Sequence, residues 1–299
     1  MIAILHFFLA LFVSPLLFGI INKIKALFAG RKGPPILQLY YTLFKLWQKS
    51  RVYSKTTTSI FQFAPFVSLT CVICATLIVP FAGQKALLSF SGDLILFIYL
   101  LAFSRFSIIL SALDTGSSFE GMGASREVSF SIFTEITLLL SFTVCAIKAQ
   151  TLSLSGIYTY FSLQMLHPTL LLIGLALIIV LLTESCRIPI DDPNTHLELT
   201  MIHEVMVLDH SSTELGIIFY TAYLKLWLFI SLVTGLFLPT LSFFLKEFYS
   251  LGAIVLLTSI IGIIESVMAR FRFIKIFDFI LTGLALAFFA FVLQVVGIL

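Results

Sequence analysis

Residues 93–113 read DLILFIYLLAFSRFSIILSAL. A helix needs about 20 residues at 1.5 Å rise to cross roughly 30 Å of hydrocarbon, and this stretch is long enough. Its apolar run is unbroken, whereas a barrel strand would alternate at every second position. The stretch therefore reads as a membrane-spanning helix. It also carries Arg105 in its interior. A charge at that depth costs about 2.5–3.5 kcal/mol unless it turns inward and finds a partner. One segment thus predicts both a bilayer span and a charged interior.

Working outward, the same reading gives eight spans: Ile2–Ile21, Phe61–Pro80, Asp93–Leu113, Val128–Ile147, His167–Thr183, Leu215–Leu238, Leu251–Met268 and Phe277–Ile298. Across 299 residues, 60% are hydrophobic and 11% charged, against about 25% charged in soluble domains. A water-soluble enzyme is excluded, because one core could not hide so much apolar surface. The net charge of +3 is too small to argue for nucleic-acid binding. The expectation is an all-α, polytopic membrane protein of about eight transmembrane helices, forming a single integral membrane domain over 1–299. Its first span has neither a basic leader nor a small-residue cleavage site, so it reads as a retained helix.

Basic residues set the orientation. Of 18, thirteen fall on one side, including Lys23, Lys25, Arg31, Lys32, Lys45, Lys49, Arg51 and Lys55 in the first connecting loop. Three lie opposite, and Arg105 and Lys225 lie within spans. Both termini are thus expected on the outer face, with cytoplasmic loops roughly at 22–60, 114–127, 184–214 and 269–276.

The loops differ in character. In the first, Ile36, Leu37, Tyr40, Tyr41, Leu43, Phe44 and Trp47 recur near helical spacing after Gly33-Pro34-Pro35. That pattern predicts a basic amphipathic helix at the headgroup level, serving either as a lipid anchor or as a docking surface. The second loop, 114–127, is rich in small residues that allow close backbone approach, and its glycines do not form a nucleotide cradle. The third is the most polar, with Arg187, Asp191, Asp192, His196, Glu198, His203, Glu204, Asp209, His210 and Glu214; Leu197 to Leu208 fits a short helix.

Arg105, Glu135, Glu184, Lys225 and Glu265 lie in or at the ends of apolar spans. With the third loop's acids at their cytoplasmic mouth, they are expected to meet in one interior pocket and form a proton or ion relay. The bland alternative is a set of ion pairs that only fix helix packing. Other chemistry is sparse. Cys71 and Cys74 form a C-x-x-C inside a span, without a redox context. His203-Glu204 fails as a zinc-protease helix because Val207 stands where the second histidine belongs. His196, His203 and His210 recur every seven residues, but no metal site follows from them.

Three motifs then converge. Arg31-Lys32-Gly33-Pro34-Pro35, Leu113-Asp114-Thr115-Gly116-Ser117 with Gly123-Ala124-Ser125-Arg126-Glu127, and Glu184-Ser185-Cys186-Arg187-Ile188-Pro189-Ile190-Asp191 occur in order. Together they resemble the eight-span subunit shared by respiratory complex I and the group 4 membrane-bound [NiFe] hydrogenases. The run from Leu197 to Asp209 is more similar to the hydrogenase branch, including formate hydrogenlyase, with Asn194 and His196 where complex I members commonly carry carboxylates.

The resemblance implies a membrane-anchor and coupling subunit, non-catalytic itself, in a multisubunit oxidoreductase of the cell (inner) membrane. Its implied partners are a hydrogenase-like large subunit, an iron–sulfur small subunit and antiporter-like membrane subunits. Iron–sulfur clusters and a NiFe centre would reside in those partners, with no cofactor in this chain. By resemblance, Glu135, Glu184, Arg187, Asp191, Glu198 and Glu204 belong to an ion path with Arg105, Lys225 and Glu265. Arg31, Lys32, Asp114, Arg126 and Glu127 belong to the docking loops. The alternatives are a quinone-reducing complex I subunit and an autonomous secondary ion transporter, though the internal repeat a transporter would need is not visible.

Overall fold

The computed structural model describes residues 2–163, 167–191, 201–239 and 243–296. Among these residues the chain is all helical. Long helices are α1 (Ile2–Phe28), α3 (Ser59–Ile78), α4 (Asp93–Asp114), α5 (Ser118–Ala149), α8 (Ser212–Leu236), α9 (Phe243–Val267) and α10 (Phe273–Val295). All seven are long and apolar enough to span a bilayer. α7 (Pro168–Glu184) is apolar but has only 17 residues, about 25 Å of helix. It is the eighth crossing expected from the sequence, and this is a multi-pass membrane protein. Two shorter helices, α2 (Gln38–Trp47) and α6 (Leu154–Leu163), complete the set.

α8 is the hub, packed against α1, α3, α7 and α9. Leu224, Leu226, Trp227, Leu228, Phe229 and Ile230 are all buried, so it is apolar around its whole circumference, as a fully enclosed helix should be. α3 and α4 form an antiparallel hairpin beside it, while α5, α7 and α10 make a second group joined to the hairpin through α4. On the outer side, α6 is pinned where Asp93 accepts hydrogen bonds from the Leu154 N–H (2.7 Å) and the Ser153 hydroxyl (2.8 Å).

The cytoplasmic side departs from the sequence reading in two places. The expected second loop is largely absent, because α5 begins at Ser118, ten residues before Val128. Gly121, Gly123 and Ala124 are helical there, and they let the third loop press in. A Cβ at Gly123 would lie 2.2 Å from the Val205 side chain. The short helix expected over 197–208 is, in its described part, a single 3₁₀ turn at Glu204–Val207; residues 192–200 lie outside the described set. The amphipathic helix of the first loop does form as α2. It buries Leu43 against α1 and α8 and leaves Tyr41, Phe44 and Trp47 exposed.

Between Glu184 and Asp191 the backbone is irregular yet buried, with Ser185, Arg187, Ile188, Ile190 and Asp191 all enclosed. Non-helical backbone survives at this depth only when protein surrounds it. Replacing Gly123 with Val should drive α5 and the 3₁₀ turn apart, at about 1–3 kcal/mol of overpacking. The expected result is a lower melting temperature in detergent and faster proteolysis between residues 201 and 211.

Candidate functional site

Arg105 lies about three turns into α4 and is 7% exposed. Its guanidinium donates to Glu135 of α5 and to Glu184 at the end of α7, each at 2.5 Å. Glu127, two helical turns before Glu135, approaches the Nε at 3.7 Å. Lys225 of α8 closes the group with an ion pair to Glu184 at 2.7 Å, and the Thr134 hydroxyl donates to the same carboxylate at 3.0 Å. Four helices thus contribute two cations and three carboxylates. Removing a single partner from such a buried group leaves an uncompensated charge, which typically costs about 3–5 kcal/mol. With one carboxylate in excess, the cluster carries a negative charge that a single proton neutralises.

A second group lies beside it. Glu265 of α9 accepts from Arg187 at 3.1 Å and pairs with Lys25 of α1 at 3.0 Å. The Arg187 guanidinium sits 3.7 Å over the Phe18 ring, an attraction between a cation and the ring's negative face. Asp191 pairs with Arg270 at 2.9 Å and accepts from the N–H groups of Ile202 and His203 at 3.0 and 3.2 Å. Asp191 therefore ties the segment after α7 to the far end of the third loop.

Two cavities adjoin these groups. The first, about 50 Å³, is lined by Arg105, Glu127, Glu184 and Lys225. The second, about 210 Å³, is lined by Arg187, Asp191, Glu204, Asn22 and Tyr223, with Leu39 and Thr42 of α2 also on its wall. Either can hold water, since about 10–15 Å³ suffices for one molecule. Burial, reinforced by the Asp191 charge, pushes the Glu204 carboxyl up to about 7, because a low-dielectric surrounding disfavours its ionised form. Burial likewise pulls His203 down to about 4, with Lys225 acting in the same direction.

The expected ion-path residues Arg105, Glu135, Glu184 and Lys225 therefore meet in one cluster, and Arg187 and Glu265 in another. Asp191 and Glu204 share the second cavity with Arg187. They do not fill one common pocket, and Glu198 lies outside the described residues. Of the expected docking residues, Arg31 and Lys32 are exposed. Asp114 accepts from the Thr58 N–H (2.7 Å) and hydroxyl (2.8 Å), anchoring the start of α3. Arg126 donates to the Met201 carbonyl at 2.8 Å and lies 4.6 Å from the Phe273 ring centre. Glu127 belongs to the Arg105 cluster.

The sequence reading assigned no role to a further polar knot. His210 stacks on Phe61 with ring centres 3.9 Å apart, bonds Ser111 at 2.7 Å and faces Glu214 at 3.6 Å. Glu214 accepts from the Tyr53 hydroxyl at 2.5 Å, and buried Glu120 accepts the Asp209 N–H at 2.9 Å. These bonds sew the three cytoplasmic segments together. The seven-residue histidine spacing does not create a shared face, since His203 and His210 have different surroundings and His196 lies outside the described residues. Among the described residues, no three His, Cys, Asp or Glu side chains are grouped so as to hold a metal ion, and all four cysteines are free thiols.

The family described as NADH dehydrogenase matches residues 1–296. This chain belongs to that NADH dehydrogenase family. Within it, the chain is 31% identical over 297 residues to hydrogenase-4 component C of Escherichia coli, covering 96% of this chain and 93% of that one. It is 29% identical over 293 residues to the same organism's formate hydrogenlyase subunit 4, covering 94% of each. The H-type membrane component of NADH-quinone oxidoreductase from Rickettsia felis is 25% identical over 229 residues, 73% of this chain and 66% of that protein. A chain of the membrane-bound sulfane sulfur reductase, an archaeal respiratory membrane complex, shares the fold with a TM-score of 0.84. It is 22% identical, and the match covers 98% of both chains.

The NADH dehydrogenase fold here places a protonatable carboxyl in a loop, which gives a pH signature. The folded state holds the Glu204 proton up to about pH 7, whereas the ordinary value is 4.5. Folding therefore binds an extra proton between those values, and stability falls as pH rises through the window. Glu204→Gln removes this component. In paired melting curves, the variant's stability relative to wild type should improve progressively from about pH 4.5 to 7 and level off above.

Proposed function

We propose that this chain is the membrane anchor and coupling subunit of a group 4 hydrogenase-type redox complex in the cell (inner) membrane. Its cytoplasmic loops hold a peripheral arm made of a hydrogenase-like large subunit and an iron–sulfur small subunit. Any iron–sulfur clusters and NiFe centre belong to that arm. Electron transfer there is linked to translocation of protons or Na⁺ through the buried charges, toward antiporter-like membrane subunits. The hydrogenase branch is supported by relatives that match almost end to end, where the quinone oxidoreductase relative matches only 73% of the chain.

The observation that carries the reading is Arg105, one buried cation shared by Glu184 and Glu135. Glu184 is enclosed, whereas the Glu135 side chain is 37% exposed on the flank of the bundle. The charge chain therefore runs from the cytoplasmic cavities sideways to the lateral surface, where a neighbouring membrane subunit would continue it. A proton bound in this cluster shifts with its surroundings, and a change worth one pKa unit is about 1.36 kcal/mol. That compares with moving one charge through about 60 mV, so modest rearrangement of the third loop suffices to drive transfer.

Glu135→Gln and Glu184→Gln, made in the intact complex, are expected to leave assembly in place and abolish redox-linked acidification of vesicles. Normal pumping in both variants would overturn the assignment and leave these charges as packing pairs.

A further inference from the structure

The two cavities are separated by a thin wall formed by Ser185, Cys186, Ala222 and His203, each of which lines both. Of these four, His203 alone carries a group that can accept and release a proton near neutral pH. Its backbone N–H is fixed by Asp191 at 3.2 Å, so the residue is held in place from the second cavity's side. Its imidazole senses the charges of Lys225 and Glu184 from the first. Arg105 and Glu127 line that first cavity as well, and Arg187, Asp191, Glu204 and Tyr223 line the second. Each cavity thus ends in carboxylates, and neither cluster bonds directly to the other among the described contacts.

We propose that His203 is the proton-handover group between the two cavities, passing protons between the Glu204 side and the Glu184–Lys225 side. The inference rests on the coupling role argued above and names the step at which one cavity communicates with the other. A neutral imidazole has an N–H on one nitrogen and a lone pair on the other. A proton arriving from water in one cavity bonds to the bare nitrogen while the N–H bond on the opposite nitrogen breaks. That proton leaves to water in the other cavity. Charge and atoms balance, the ring ends neutral in its other tautomer, and a ring flip resets it. Because burial disfavours the imidazolium, the ring conducts protons without storing them, and storage falls to Glu204.

The test uses the intact complex in liposomes, with reduced methyl viologen as electron donor and a fluorescent pH probe. His203→Gln should cut protons moved per electron by about tenfold or more, in line with loss of a positioned acid–base group. Viologen oxidation with an uncoupler present should stay within about twofold, because the electron path is untouched. His203→Gly gives a second, smaller replacement, and added imidazole should restore its proton movement. Wild-type stoichiometry in His203→Gln, or no recovery by imidazole in His203→Gly, would overturn the handover role. Glu184→Gln run alongside separates the two ideas. If it stops proton movement while His203→Gln does not, only the histidine assignment fails; if both variants pump normally, the coupling role itself falls.

Discussion

The Arg105 guanidinium cannot be hydrated where it sits, so its partners must come from protein. That requirement fixes the geometry around it. α4, α5, α7 and α8 have to converge on one level, because each supplies a charge that the others need. In lipid, apolar surface gives little reason for one helix to prefer another. Polar groups that must be satisfied give a strong one, and here they specify which faces meet and at what height. The same cluster that determines packing holds one more acid than base, which makes it responsive to protons. Structural and functional demands are met by the same five side chains.

Most of the architecture was legible in the apolar runs. Long uninterrupted segments, basic loops on one side and charges inside spans are strong signals because the bilayer tolerates few alternatives. α6 was missed although Leu154, Ile157, Tyr158 and Phe161, all buried, repeat at helical spacing; ten residues lie far below the length of a span. The extension of α5 back to Ser118 was hidden by Gly121 and Gly123, which lower helix propensity by about 1 kcal/mol each relative to Ala. Tertiary packing overrides that preference, since Gly123 admits Val205 and Met206 at close range.

At the site, the sequence named the right charges but not their pairing. Depth along a helix can be counted, yet the direction a side chain faces depends on neighbours that no local pattern specifies. Glu127 illustrates this. It sits in a loop by hydropathy, but the added turns of α5 place it on the Glu135 face, within reach of Arg105. Lys25 likewise reads as one more member of a basic loop, until α1 extends to Phe28 and brings it to Glu265. His210 and Glu214 are an i, i+4 pair whose partners Phe61, Ser111 and Tyr53 lie on separate segments. Such convergence appears only in three dimensions.

The brevity of α7 has an electrical consequence. A helix of 17 residues falls about 5 Å short of the hydrocarbon thickness, and the buried backbone after it is flanked by polar cavities. Where water enters such recesses, the membrane voltage no longer falls evenly over the whole bilayer. It concentrates across the thinner dry layer between the charge cluster and the outer face. A proton crossing that layer would then sample most of the field within a few helical turns. The shortest crossing helix is thereby the place where the protein is most exposed to the force it works against.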